Sequence, residues 1–572
     1  MAGILAYKNR SLSLLLGLLL AGSPAAAFAQ AALTVSSTPL ARVSSAEVVD
    51  IKFADGKALK EFYEQRGGQP LWADYGQARL ALTVLDQSWT QGLNPENYHV
   101  KELHALLDDS TRFRTEEARA DVILSDAIVR YGHDVSGMRI DPATIDQRAI
   151  YWRQPEKAAD ILKTVGASPE PAKTVAALAP HDTLYLSLRK EMERISQESG
   201  DYDRLLPMNF GKGYFHPRSH SASVPVLRAR LGVKYDPRYG SETFYDDKLG
   251  SAVMFFQRQH NIKPDGIIGG KTLALLNQTR RDRMEQLVVN FERLRWLDQQ
   301  IPKRYVLVNI PSQTLWAVDD GKISVKMAVV VGKPERPTKA FRAEITGIRF
   351  NPTWTVPPSI KVKDMLPKLQ EDPQSLSDKG IEFVHNGASI DPASIDWQNI
   401  SKGELNRIRM VQSAGKHNAL GRIRVLMPNE YDIYLHDTNH PEFFNLVERT
   451  ASSGCIRLSQ PEQMARFVLA KNAGWSEKKM KDLLAKGRTA EVAVPAKFPV
   501  YVLYQTVWED TDGNLIYGPD VYGEDKKLLK ALSTINGYAL PKSASGGIIV
   551  DKGGISFRSN NVSESTALAS AH

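Results

Sequence analysis

The chain is nearly without cysteine: one residue in 572, Cys455. That excludes an internal disulfide, so the fold must be held by its cores alone. Apolar runs of membrane-spanning length are also missing. The longest candidate, Leu12 to Leu20, is broken by Ser13 and Gly17 and falls short of the roughly 20 residues a helix needs to cross a bilayer. No cysteine near position 30 offers a site for a lipid. Neither sign of charge dominates. The formal balance is +8, and +6 without Lys8 and Arg10. That modest excess suits an anionic partner such as a wall polymer or a membrane surface, or simply a solvated basic face. No nucleic-acid-binding motif accompanies it, so nucleic acid is not expected as a partner.

What is present begins with an export signal. Lys8 and Arg10 precede the short apolar run, and Ala27-Phe28-Ala29 reads as a small-x-small cleavage site. Residues 1–29 are therefore expected to be removed, leaving a chain without a transmembrane helix in the periplasm; an uncleaved anchor is the alternative. At about 150 residues per domain, the remainder predicts three or four domains.

The expected fold class is α+β and multidomain. Residues 30–48 read as a linker. Residues 49–204 read as a helical scaffold without catalytic residues. In it, Ala78 to Trp89 places Leu80, Val84, Leu85 and Trp89 on one face before Gly92-Leu93-Asn94-Pro95 ends it, and Glu116 to Tyr131 repeats the pattern. Residues 205–280 read as a small three-helix module: Val224 to Leu231, Asp246 to His260 and Lys271 to Leu276, with a turn at Asp265–Gly269. Its GIIGGKT string is one residue short of a phosphate-binding loop and follows a helix, which excludes nucleotide binding. Residues 285–535 are mainly β. Strands are expected at Tyr305–Ile310, Thr314–Val318, Ile323–Val331, Glu344–Phe350, Arg422–Met427 and Tyr431–His436, and helices at Arg283–Leu297 and Glu462–Ala470. The long polar interval of about 359–415 reads as a lid over a site, or as a surface excursion. The tail of about 540–572, rich in Ser, Gly and Ala, is expected to be disordered.

The chemistry converges on Ser452-Ser453-Gly454-Cys455-Ile456-Arg457. A thiol of ordinary pKa is only a few per cent ionised at neutral pH and needs a base. His436 ends a strand 19 residues earlier and can take the thiol proton and return one to a leaving amine. Its second ring nitrogen needs a partner, either a backbone carbonyl or Asp437. Gly454 lets the backbone approach a substrate closely, and the amides of Gly454 and Cys455 are the candidate donors to an oxyanion. Ser459-Gln460-Pro461-Glu462 reads as a capping box opening the next helix. Three alternatives compete. Cys455 is then a buried, inert hydrophobe; or His436 and His440 hold zinc, against which stand Asp437, Pro441 and the want of a third ligand; or the chain is a non-catalytic wall-binding scaffold.

The string IYLHDT…R..SSGCIRL..P resembles the catalytic signature of the L,D-transpeptidases, and FFQRQHNIKPDGIIGGKTLALLN resembles the three-helix peptidoglycan-binding module of wall enzymes. VVVGKPERPTKAF, FNPTWTVPPSI, NALGRIRVLMPNEYDIYLHDT and PVYVLYQTVWEDTDGNLIYGPDVYGED resemble further segments of the same catalytic domain, and the module order resembles the family's large periplasmic members. The resemblance implies Cys455 as acylated nucleophile and His436 as base. It makes Arg457 and Arg449 candidates for substrate carboxylates, with Ser452 and Ser453 lining the site. Many members carry His where Ser453 stands. The implied reaction is attack on a tetrapeptide stem, loss of D-Ala and a 3→3 peptidoglycan cross-link, with carbapenem acylation of Cys455. Water or a protein lysine are alternative acceptors, giving a carboxypeptidase or an envelope-protein anchor. Stem peptides, and other wall-synthesis enzymes, are the implied partners. No metal or organic cofactor is expected.

Overall fold

The computed structural model describes residues 38–41, 51–145, 152–198, 208–211, 213–298, 300–510, 512–541 and 548–549. The expected signal segment, most of the 30–48 linker and most of the 540–572 tail lie outside the described residues. Within that tail, Leu540–Pro541 pairs antiparallel with Ile548–Ile549.

Helices occupy the first part of the chain, from Gly56–Gln65 to Thr183–Gln197. The helix Tyr75–Asp86 begins at Asp74, whose carboxylate accepts from the amides of Gly76 and Gln77. Its buried stripe is Ala78, Ala81, Leu82 and Leu85, whereas Leu80 is 56% exposed. The face expected from Leu80, Val84, Leu85 and Trp89 is therefore not the buried one at Leu80. The 3.6-residue period carries the core stripe through 78, 81–82 and 85, and Leu80 lies on the opposite side of it. Gly92 stops the following turn in a left-handed conformation, φ 68°.

The small module folds around its own core of Val224, Leu227, Tyr245, Leu249, Val253, Ile268 and Leu276. Its helices are Val224–Arg230, Asp247–Gln259 and Gly270–Leu276. Gln257 explains why the turn between the last two is fixed. Its amide donates to the Ile267 carbonyl at 2.9 Å, and its carbonyl accepts from the Gly266 amide at 2.8 Å.

The helix Arg280–Arg295 is buried along nearly its whole length. One side contacts the scaffold, where Arg295 donates to Tyr185 Oη at 3.0 Å. The other contacts the β domain, where Asn290 Nδ2 donates to Thr506 Oγ1 at 2.8 Å. A helix assigned from sequence to the β domain alone is therefore the bolt between two domains, and their apolar cores are continuous.

The β domain is built on strands β1 (Tyr305–Asn309), β2 (Thr314–Asp319), β3 (Lys322–Gly332) and β4 (Phe341–Phe350). They are followed by β5 (Trp354–Thr355), β6 (Ile381–His385), β7 (Ala388–Ser389), β8 (Arg409–Gln412) and β9 (Ile423–Leu426). β10 (Leu435–His436), β11 (Thr450–Ser452), β12 (Ile456–Leu458) and β13 (Ala490–Leu503) complete it. The order is β11-β3-β12-β10-β9-β4-β13-β1-β2, and the β2–β3 pairing closes it into a ring of eight strands with β11 added along β3. Alternation puts Val306, Val308, Val329, Ile348, Val425, Leu435, Ile456 and Val502 in the core. Asp320 and Gly321, at φ 49° and 74°, make the tight hairpin between β2 and β3.

Two local expectations fail. The strand foreseen from Tyr431 is regular only at Leu435–His436, because Asp432 takes φ 53° and breaks the extended run. The helix Pro461–Leu469 has no capping box: Gln460 is its N-cap and makes no side-chain bond. Ser459 instead continues the strand, its amide donating to the Ala328 carbonyl at 3.2 Å.

The interval between β4 and β9 is a folded subdomain. A sheet ordered β5-β8-β6-β7 and short helices enclose Leu369, Leu376, Phe383, Trp397, Leu405 and Met410.

Candidate active site

Register across the ring assembles the site. β10 runs parallel to β12, with His436 opposite Arg457 and Leu435 opposite Ile456. β9 runs antiparallel on the other side, with Arg424 opposite His436. A single cross-strand row therefore reads Glu491–Arg349–Arg424–His436–Arg457–Val330. Tyr434 and Cys455 stand one step along the same face, since the Ile456 amide donates to the Tyr434 carbonyl at 2.8 Å. β10 supplies the imidazole and the bend leading into β12 the thiol, as diagonal neighbours in this register.

The turn before Cys455 is held from inside. Ser452 is buried; its hydroxyl donates to the Cys455 carbonyl at 2.5 Å and accepts from the Gly454 amide at 3.1 Å. Gly454 takes φ 115°. That conformation, rather than lack of space, requires glycine: a Cβ there would meet nothing nearer than 3.8 Å. The Gly454 amide is thus occupied, and of the two amides considered for an oxyanion it is the less available. Thr338 Oγ1 donates to the Gly454 carbonyl at 2.8 Å.

His436 is 4% exposed, and its Nδ1 donates to the Asp437 backbone carbonyl at 2.5 Å. That fixes Nε2 as the acceptor nitrogen. The Asp437 carboxylate is engaged elsewhere, accepting from the amides of Arg422 (2.8 Å) and Thr438 (2.7 Å). Its fit against Gly421 is tight: a Cβ at 421 would come within 2.4 Å of the Asp437 carboxyl carbon. Of the two partners left open by the sequence, the backbone carbonyl holds the ring.

Two guanidiniums flank this pair. Arg457 Nη1 donates to Thr438 Oγ1 at 3.3 Å, and its guanidinium lies 5.2 Å from the Phe443 ring centre. Arg424 lies 3.5 Å from the Tyr434 ring centre, and its Nε is buried without a hydrogen-bond partner. Sequence reasoning missed Arg424 and Tyr434. The signal was there in Ile423-Arg424-Val425, where alternation sends Arg424 to the face opposite two core residues. Arg449 is placed differently: its guanidinium donates to the carbonyls of Val329 (3.1 Å), Gln313 (3.1 Å) and Leu446 (3.2 Å). It binds the strand and loop backbone around the catalytic turn.

Burial, with Arg457 and Arg424 beside it, holds His436 down at about 3. Burial pushes the Cys455 thiol above its ordinary value despite opposing contributions from Tyr434, Arg424 and Arg457. The thiol donates to the Asp432 carbonyl at 3.8 Å, not to the imidazole. At neutral pH the unliganded site therefore holds a neutral thiol and a neutral imidazole. The sign is testable. Alkylation of Cys455 by iodoacetamide without donor should rise continuously from pH 6 to 9, with no inflection near 6.5. A rate plateau between about pH 4 and 8 would instead reveal a thiolate–imidazolium pair.

Among the described residues, no group of three or more His, Cys, Asp or Glu is disposed to hold a metal ion. His440, the other member of the considered zinc pair, has Nδ1 2.8 Å from Glu442.

Three family models match parts of the chain. Residues 303–501 match the family model described as "L,D-transpeptidase catalytic domain". Residues 57–192 match "Scaffold domain", and 228–276 match "Putative peptidoglycan binding domain". A protein of Haemophilus influenzae described as "Putative L,D-transpeptidase" is 35% identical over 247 residues, covering 43% of this chain and 49% of that protein. The match thus spans about half the length of that relative. Among solved structures, L,D-transpeptidase 1 of Mycobacterium tuberculosis is 15% identical, covering 35% of this chain and 61% of that one, at a TM-score of 0.17. An L,D-transpeptidase from Xylanimonas cellulosilytica is 14% identical, covering 52% and 100%, also at 0.17. The resemblance read from the residues around Cys455 and from the helical module is upheld: matches to a scaffold domain, a peptidoglycan-binding domain and an L,D-transpeptidase catalytic domain follow along the chain in that order.

Proposed function

We propose that the chain is a cysteine-dependent L,D-transpeptidase of the bacterial wall. The observation that supports this reading is that the turn carrying Cys455 leads directly into β12, which pairs with the His436 strand β10, inside residues that match the catalytic-domain model. Cys455 Sγ attacks the carbonyl of the third stem residue, His436 Nε2 takes its proton, and that proton leaves with D-Ala. An acceptor amine then displaces the thiol and forms the 3→3 link. The Cys455 amide is the donor best placed for the oxyanion, since Ser452 already holds that of Gly454.

The resting site is neutral, so the substrate has to complete it. A stem carboxylate beside Arg424 and Arg457 would offset the two charges that depress His436, and so raise the basicity of the imidazole when donor is bound. A guanidinium fork matches a carboxylate. Ser453, in the position where many family members have His, is a contact of the turn in this reading, and Asp437 positions the loop.

The wall as substrate is supported by the peptidoglycan-binding module together with the catalytic domain. Such a substrate places the mature protein outside the cytoplasm, in the periplasm if residues 1–29 act as a signal. No helix among the described residues is long and apolar enough to cross a membrane. Carbapenem acylation of Cys455, a contribution to cell shape, and association with other wall-synthesis enzymes belong to the same proposal.

Incubation of purified protein with disaccharide-tetrapeptides, read by mass spectrometry, tests it. Dimers lacking one D-Ala are expected. Monomeric tripeptides alone would reassign the chain as a carboxypeptidase. No D-Ala release would leave a wall-binding scaffold.

A further inference from the structure

The loop joining β3 to β4 lies against the catalytic turn for local reasons. At Gly332 any Cβ would come within 2.2 Å of the Arg336 carbonyl, so the chain can fold back only over glycine. Thr338 Oγ1 accepts from the Gly332 amide and donates to the Gly454 carbonyl, each at 2.8 Å. The loop is thereby pinned to β3 and to the turn before Cys455.

Arg336 stands at the tip of this loop, its side chain 13% exposed. Nη2 donates to Asp364 Oδ1 at 2.8 Å, and Nη1 bonds Asp364 Oδ2. Nη1 also donates to Ser453 Oγ at 3.0 Å. Asp364 belongs to the β4–β9 subdomain, on the wide helical turn Lys361–Met365, a geometry frequent at functional sites. The pairing holds the Asp364 carboxyl below its ordinary value. One guanidinium thus joins the subdomain, the β3–β4 loop and the residue two positions before the nucleophile. A bidentate, shielded pair of this kind is stronger than an exposed ion pair.

We propose that Arg336 is a positioning residue that couples the seat of the β4–β9 subdomain to the catalytic turn, and so favours an amine over water as acceptor for the acyl group on Cys455. The inference rests on the acyl-transfer reading above. In the productive step the acceptor nitrogen bonds the acyl carbon, the carbon–sulfur bond breaks, and the nitrogen's proton passes through His436 to the sulfur. With water in its place, the same break leaves a carboxylic acid. Seated, the subdomain excludes water while the turn keeps its shape. With the Arg336–Asp364 pair broken, the subdomain is free to lift and Ser453 loses its donor.

The test compares wild type with Asp364→Asn, Arg336→Gln, the double variant and Asp364→Glu. The ratio of dimer to hydrolysed product should fall by about tenfold in each single variant. It should fall no further in the double variant, and it should recover in part with Asp364→Glu. In parallel, a bulky polymer-linked maleimide should label Cys455 faster in Asp364→Asn, while labelling by small iodoacetamide changes little. An unchanged ratio, or additive losses in the double variant, would overturn the coupling. If wild type transfers no acyl group, the functional reading fails separately. The maleimide arm then decides the coupling: faster bulky labelling supports it, and equal labelling contradicts it.

Discussion

Replacing Cys455 by Ser should reduce D-Ala release and dimer formation by at least roughly 10^4-fold while leaving the protein folded. The size follows from the site. A serine hydroxyl is far less acidic than a thiol, and His436, held at about 3, is too weak a base to compensate. The fold should survive because the substitution is nearly isosteric and the turn is held by other groups. Ser452 bonds the carbonyl of residue 455 and the amide of Gly454, and Thr338 bonds the Gly454 carbonyl. Steady-state release of D-Ala, with circular dichroism as control, measures both halves. Activity within tenfold of wild type would remove Cys455 from the chemistry.

The largest expected effect on stability lies far from the thiol. Glu292→Ala should destabilise the protein by about 3–5 kcal/mol. Glu292 is fully buried on the bolt helix, 2.8 Å from Arg139 Nε and 3.3 Å from Arg295 Nη1, and it also accepts from Trp296 Nε1 at 3.1 Å. Both arginines are buried as well. Removing the carboxylate leaves Arg295 charged with no acid in contact and Arg139 with only Asp134, 3.7 Å away. Burial raises the Glu292 carboxyl, but Arg139 and Arg295 outweigh it and hold the group below its ordinary value. Its contribution is therefore present above the unfolded-state pKa and lost as pH falls through the lower, folded one. Denaturant unfolding of wild type and Glu292→Ala at pH 7 measures the difference. A loss under 1 kcal/mol would mean that the bolt does not depend on this cluster.

How far the sequence reveals this molecule depends on the range of the interaction. The thiol, its turn and the strand-ending histidine are local features, and Ser452 to Arg457 announces them within a few residues. The β character of the domain is equally legible, because β1 and β3 are rich in β-branched residues and β4 alternates polar Arg342, Glu344 and Thr346 with buried Phe341, Ala343 and Ile345. Arg424 is legible only in part: alternation gives its face, whereas its place beside His436 comes from the β9–β10 register. Arg336 is further removed, since it needs a loop folded over Gly332 and a carboxylate from the β4–β9 subdomain. Arg449 shows the converse. The sequence suggests a carboxylate partner, and the fold gives it backbone carbonyls instead. The buried face of the scaffold helix around Leu80 is hard to see for a simpler reason: alanines carry half of its buried stripe, and small residues signal a core face weakly.

The central claim is that Cys455 carries the acyl group. Intact-protein mass spectrometry after incubation with a tetrapeptide donor and no acceptor amine tests this most directly. The account predicts a gain equal to the donor minus D-Ala, mapped by proteolysis to the peptide containing Cys455 and absent from Cys455→Ala. An adduct on another residue, or release of D-Ala without an adduct in either protein, would contradict it.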